Sequence, residues 1–135
     1  MLKRGDVVVY PYRWLGEAQR DRSEDGAKER PCALIAALTL KDGSTVAFLC
    51  AISSKPPASD QVAIEAPALE RKRAGLDRYP QAWVYVSELN RDVLGASWYI
   101  APDADPLGSF SARFLSRVAT AVAGHVQGRI VNRLQ

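Results

Sequence analysis

Residues 32–52, CALIAALTLKDGSTVAFLCAI, decide the fold. Two apolar runs, 32–38 and 45–52, flank Lys41-Asp42-Gly43-Ser44. An Asp-Gly pair between such runs is among the strongest short-range signals of a β-hairpin. If Asp42-Gly43 is a two-residue loop, Arg30 faces Lys55 and Cys32 faces Ser53 across the hairpin. Side chains alternate along a strand, so Arg30, Cys32, Ser53 and Lys55 share a face, with Arg30 and Ser53 as diagonal neighbours about 7 to 8 Å apart. A slip of one residue would turn the set over, so the arrangement depends on the turn.

Outward from the hairpin, residues 6–12 (DVVVYPY) read as a strand that Pro11 confines to an edge or an end. Residues 13–29 are charged, contain glycine and show no apolar period, the pattern of a long surface loop. Residues 61–65 and 82–87 read as further strands, the second with Trp83 and Tyr85 on one face and Val84 and Val86 on the other. Residues 68–74 form a helical turn ended by Gly75, and residues 97–101 a short sixth strand. The period then changes: Phe114, Val118, Val122, Val126, Ile130 and Leu134 recur every four residues. This predicts an amphipathic helix over about 110–134, capped by Ser109 or Ser111, with Gly124 and Gly128 able to kink or shorten it. Short strands followed by one helix give a mainly β chain with a C-terminal helix, arranged as a small antiparallel barrel in one domain over 1–135.

The chain has 135 residues, 47% apolar and 24% charged, with net charge +3, values of a globular protein that tolerates an acidic partner. No apolar run approaches the roughly 20 residues of a membrane helix, and residues 1–6 lack a secretory signal, so a cytoplasmic location away from membranes is expected. Cys32 and Cys50 sit in apolar runs as small buried hydrophobes, and with one distant histidine, His125, they make no zinc site; no cofactor is expected.

The chemistry gathers where the hairpin opens. One guanidinium (Arg30), one hydroxyl (Ser53) and one ammonium (Lys55) converge there, and a cation beside a hydroxyl suits a phosphodiester. Arginine stays protonated, so Arg30 serves as a charge stabiliser rather than a base, and Ser53 as a hydrogen-bond donor to a phosphate oxygen. Glu24, Asp25 and Glu29 are the nearest carboxylates. Trp14 is the best candidate for stacking on a base, while Trp83 and Trp98 read as core or interface residues.

Three segments, 3–12 (KRGDVVVYPY), 28–35 (KERPCALI) and 51–57 (AISSKPP), together with Gly75-Leu76-Asp77, the 83–86 strand and Ser87-Glu88-Leu89, resemble in order and spacing the PemK/MazF family of growth-inhibiting toxins. The resemblance covers about 3–94. It implies an SH3-like barrel of the PemK/MazF/CcdB kind and a homodimer. It also implies metal-independent cleavage of single-stranded RNA, in which the ribose 2′-hydroxyl attacks the phosphate. The arginine of the family's Arg-Pro motif falls on Arg30, and its catalytic hydroxyl on Ser53, or on Ser54 with a slip of one. The RNA-contacting loop falls around Ser23 to Lys28, and Leu89 stands where some members carry glutamine. The implied partners are single-stranded RNA and a cognate acidic antitoxin. The alternative is a noncatalytic barrel of the same family that binds nucleic acid or a protein such as a topoisomerase. Trp98-Tyr99-Ile100 form a second apolar cluster that one core would leave over for a second copy of the chain.

Overall fold

In the computed structural model, which describes residues 2–16, 28–95, 99–101 and 103–133, the hairpin lies at the centre of one sheet. The strands are β1 (Asp6–Tyr10), β2 (Arg30–Thr39), β3 (Thr45–Ser53), β4 (Ala63–Glu65), β5 (Trp83–Tyr85), β6 (Leu89–Leu94), β7 (Gly108–Ser109) and β8 (Ile130–Asn132). Helix α1 spans Ala68–Arg73 and helix α2 spans Ala112–His125. The strand order is β4-β5-β3-β2-β1-β7; β6 also pairs with β3, and β8 runs parallel to β6 while the other pairs are antiparallel.

Among the described residues this sheet does not close into the expected barrel. The free edge of β3 is divided, with Thr45–Leu49 paired to β6 and Ile52–Ser53 to β5, so the strands fan out in two directions. The outermost strands β7 and β4 have only two and three residues, too few to carry a ladder onward. No helix among the described residues is long and apolar enough to cross a membrane.

The hairpin register differs from the two-residue reading. Gly43 N–H donates to Leu40 C=O at 3.0 Å and Gly43 has φ +88°, so Lys41 and Asp42 are the turn centre and Gly43 supplies the left-handed residue of a three-residue loop. Asp42 Oδ1 fixes it by accepting from Ser44 N–H (2.9 Å) and Ser44 Oγ (2.6 Å). That moves the pairing by one residue, as in Leu38↔Val46. A bulge between Leu34 and Ala36 moves it by one more, to Cys32↔Ala51. The two shifts together restore the original faces.

Both faces of the sheet are covered, which is why β2 reads as unbroken apolar sequence. On one face Val7, Ala33, Ile35, Cys50 and Ile52 pack with Val84 and with Phe114, Leu115, Val118 and Val122 of α2. On the other, Val8, Tyr10, Tyr12, Cys32, Leu34, Leu49 and Ala51 pack with Leu2 and Ile100. The second core absorbs Ile100, and Tyr99 packs edge-on against Tyr10 at 6.1 Å. These two residues are therefore not left over for a second copy; Trp98 and Ser97 lie outside the described residues, and residues 99–101 form no strand.

Ser111 is the cap of α2: its Oγ accepts from Phe114 N–H at 3.1 Å, and its own N–H and hydroxyl donate to Glu70 of α1 at 2.9 and 2.8 Å. The helix ends at His125, well short of 134. Gln127 (φ +45°) and Gly128 (φ +85°) are both left-handed, a conformation no right-handed helix accommodates, and the β-branched pair Ile130-Val131 joins β6 instead. The four-residue period beyond Val126 is coincidental. Leu134 lies outside the described residues.

The chain from α1 crosses the β7 segment in direct backbone contact. A Cβ on Gly108 would lie 2.3 Å from Arg73 O, and one on Gly75 (φ +74°) 2.2 Å from Leu107 O. Gly108→Ala is therefore expected to destabilise the fold by more than about 2 kcal/mol. Gly124→Ala, on a helix face with open space around it, is expected to stabilise it by about 0.5–1 kcal/mol. Urea unfolding midpoints check both; an unchanged midpoint for Gly108→Ala would contradict the close crossing.

Candidate phosphodiester site

Arg30 opens β2 opposite Tyr10 of β1, and Ser53 closes β3 opposite Trp83 of β5. Continuing the Cys32↔Ala51 register by two residues sets Arg30 across from Ser53, a more direct juxtaposition than the diagonal one expected. A cleft of about 430 Å³ opens at this end of the sheet, lined by Lys28, Arg30, Ser53, Ser54 and Lys55, and by Arg78 and Tyr79 from the turn after α1. Four cations thus face it, against the single carboxylate of Glu29. Among the described residues none of the four is within ion-pair distance of a carboxylate.

Arg30 and Ser53 retain unused hydrogen-bonding capacity. Arg30 Nε is buried without an acceptor among the described residues. Ser53 Oγ accepts from Lys55 N–H at 3.2 Å, a local turn that leaves the hydroxyl proton to donate elsewhere. Tyr85 OH donates to Lys55 C=O at 2.6 Å and ties down the chain just beyond β3. Burial raises the Tyr85 phenol pKa, with the Arg30 charge acting against the shift.

Trp14 sits beside this pair. The Arg30 guanidinium lies 5.2 Å from its ring centroid, and Tyr12 and Tyr85 meet it edge-on at 5.1 and 5.0 Å. Asn90 of β6 and Glu88, just before β6, hold the backbone on either side of Trp14. Asn90 Oδ1 accepts from Arg13 N–H at 2.9 Å and its Nδ2 donates to Arg13 C=O at 2.8 Å. Glu88 Oε1 accepts from Leu15 N–H at 3.0 Å and from Tyr12 OH at 3.2 Å. Asn90 is fully buried and Glu88 nearly so. Burial, and then the Glu88 charge, raise the Tyr12 phenol well above its ordinary value, keeping it a hydrogen-bond donor.

Arg30, Ser53, Ser54, Lys55 and Lys28 line one cleft, and Trp14 lies against Arg30. Ser23, Glu24 and Asp25 lie outside the described residues. His125 is exposed at the end of α2, and Trp83 is half-buried with its Nε1–H donating to Gln81 at 3.3 Å. Cys32 and Cys50 are buried free thiols, their pKa values raised by burial. Leu89 packs into the core with residues of α2 and does not line the cleft. Sequence reasoning missed Arg78, Tyr79, Tyr85 and Asn90. Arg78-Tyr79 follows the α1 turn closely in sequence, but nothing local signals that the turn folds back over the hairpin mouth.

No protein-family model and no curated protein sequence matches this chain. Among the described residues no three His, Cys, Asp or Glu side chains gather as metal ligands would.

Asn90→Ala leaves both polar groups of the Arg13 backbone without that partner and is expected to cost about 1–3 kcal/mol for each group stranded. It should also shift the Trp14 fluorescence, read in a background with Trp83 and Trp98 replaced by phenylalanine. Unchanged stability and emission would show that the clamp does not position Trp14.

Proposed function

We propose that this cleft cuts single-stranded RNA, and that the protein is a metal-independent endoribonuclease toxin of a toxin–antitoxin pair. The observation that carries this reading is Arg30 and Ser53 lining one cleft at the open end of the β2–β3 pair, together with Lys28, Lys55 and Arg78. Such a surface suits a polyanion whose scissile phosphate gains charge in the transition state. The β1–β2–β3 meander with the site at its open end supports the PemK/MazF likeness; in this reading the sheet is an opened form of that family's barrel.

Each residue has a defined part. The ribose 2′-hydroxyl attacks phosphorus, its oxygen bonds to phosphorus, and the bond to the 5′-oxygen breaks, giving a 2′,3′-cyclic phosphate and a 5′-hydroxyl. Arg30 stabilises the charge on the nonbridging oxygens with its two-pronged donor set. Ser53 donates a hydrogen bond from its hydroxyl to one of them and keeps its proton. Glu29 takes the 2′-hydroxyl proton, and the departing oxygen is protonated from solvent. Lys28, Ser54, Lys55 and Arg78 hold flanking phosphates, and Trp14 offers a ring to a neighbouring base.

The same reading assigns two partners. An acidic antitoxin segment covers the four cations by charge complementarity. A twofold dimer has Leu38 and Leu40, exposed at the far end of the hairpin, as an apolar surface.

Arg30→Ala is expected to lower RNA cleavage by at least about a hundredfold, and Ser53→Ala by less. Cleavage should persist in EDTA and leave cyclic or 3′-phosphate ends. Activity abolished by chelation and restored by magnesium would overturn the mechanism. Binding of RNA with no cleavage would favour the noncatalytic alternative.

A further inference from the structure

A second cleft, of about 320 Å³, opens beside the first, and the two share Glu29, Arg30, Arg78 and Tyr79 as walls. Its far side is different in kind. Val9, Pro31, Leu76 and Leu107 make it apolar, where the first cleft presents hydroxyls and lysines. Val9 points to the same face of β1 as Val7, but α2 covers Val7 and leaves Val9 48% exposed. Leu107, 45% exposed, is held over the cleft by the glycine crossing described above and by its N–H donating to Val7 C=O at 2.7 Å. The slot is therefore rigid on the Leu107 side, apolar at its walls, and bordered by Glu29, Arg30 and Arg78.

A phosphate alone does not suit apolar walls, and an aliphatic ligand does not suit the charged edge. A nucleotide suits both: a flat, weakly polar base with donors and acceptors at its rim, joined to a phosphate. Arg30 and Arg78 line both clefts, so a phosphate bound where the clefts meet has a neighbouring nucleotide on each side. We infer that the cleft of Val9, Pro31, Leu76, Tyr79 and Leu107 is a base-binding subsite for the nucleotide adjoining the phosphate held by Arg30. Tyr79 lines both subsites and offers an aromatic side chain to the base. This inference rests on the single-stranded RNA reading of the Arg30 cleft and adds to it a second contact that selects sequence.

The test is a coupling measurement on the whole protein. A short fluorescent single-stranded RNA, blocked by 2′-O-methyl groups so that it is not cut, is bound in the intact form and with one base removed at each position in turn. In the wild type, removal at one position should weaken binding about tenfold. In Leu107→Ala and in Tyr79→Ala the same removal should cost little or nothing further. Tyr79→Phe should keep the wild-type response. Leu107 is an exposed residue whose truncation leaves the core intact, and a thermal melt of each variant confirms folding. Fully additive losses, or no position sensitive to base removal, would overturn the subsite. So would normal RNA response in Leu107→Ala together with weakened binding of polyglutamate, which would assign the cleft to an acidic protein segment.

Cleavage of unmodified RNA separates this result from the fate of the nuclease reading. A wild type that cuts RNA but shows no coupling loses only the subsite. One that shows coupling but does not cut loses only the nuclease. A wild type that binds no RNA loses both.

Discussion

The pairing of β2 with β3 is the constraint on which the cores and the cleft depend. Each residue of this hairpin is committed to one of two buried faces, so a shift of one position would exchange Ala33, Ile35, Cys50 and Ile52 with Cys32, Leu34, Leu49 and Ala51. The turn at Gly43 introduces one such shift and the bulge after Leu34 cancels it. The outcome at the open end is Arg30 and Ser53 in one cleft, two residues beyond the Cys32↔Ala51 pair. The outcome at the turn end is the opposite parity, with Leu38 beside Val46 and exposed. One extra residue therefore serves both ends of a strand whose two faces are not interchangeable.

Around that apolar frame several polar side chains are buried, and Tyr10, Arg13, Glu88, Asn90, Asp92 and Arg133 among them link the β1 end to β6 and to the chain after β8. Tyr10 OH donates to Asp92 at 2.6 Å, and Arg133 donates to Pro11 C=O and, at 3.2 Å, to Asn90. The Arg133 guanidinium also lies over the rings of Tyr99 and Tyr10, at 4.6 and 5.5 Å. Burial and then the Asp92 hydrogen bond raise the Tyr10 phenol far above its ordinary value, so it remains a donor. Such networks stabilise little against an apolar replacement, but breaking one member is expensive, so they penalise alternative pairings. Here they also have a local product. Asn90 and Glu88 set the backbone on both sides of Trp14, which in turn packs on Arg30.

What was legible in the sequence follows from these two kinds of interaction. The hairpin, the β1 strand, the α1 turn and the cap at Ser111 were readable because each is settled within a few residues by alternation, turn chemistry or capping. Cys32 and Cys50 were readable as buried for the same reason. The register was not, because a bulge leaves no mark in an unbroken apolar run. Strand β6 was missed because Asn90, Arg91 and Asp92 look like loop residues until Arg13 and Tyr10 are beside them. Strand β8 was hidden inside a helical period, and only the left-handed pair Gln127-Gly128 separates the two. Of the cleft, the hairpin contributes the residues that could be named in advance. Arg78 and Tyr79 arrive by a long-range fold of the chain that no local pattern encodes.

The central claim is that Arg30 binds the phosphate of a single RNA strand, and its side-chain Nε–Hε resonance reports on that directly. This group is buried without an acceptor among the described residues, so the guanidinium must turn toward the cleft to engage a phosphate oxygen, and its resonance moves when it does. Titration of nitrogen-15-labelled protein with an uncleavable RNA dinucleotide is expected to move the Arg30 Nε–Hε cross-peak downfield at saturation, along with the backbone amides of Ser53 and Lys55. An Arg30 resonance that stays in place while RNA saturates a different set of arginine and backbone signals would contradict the account.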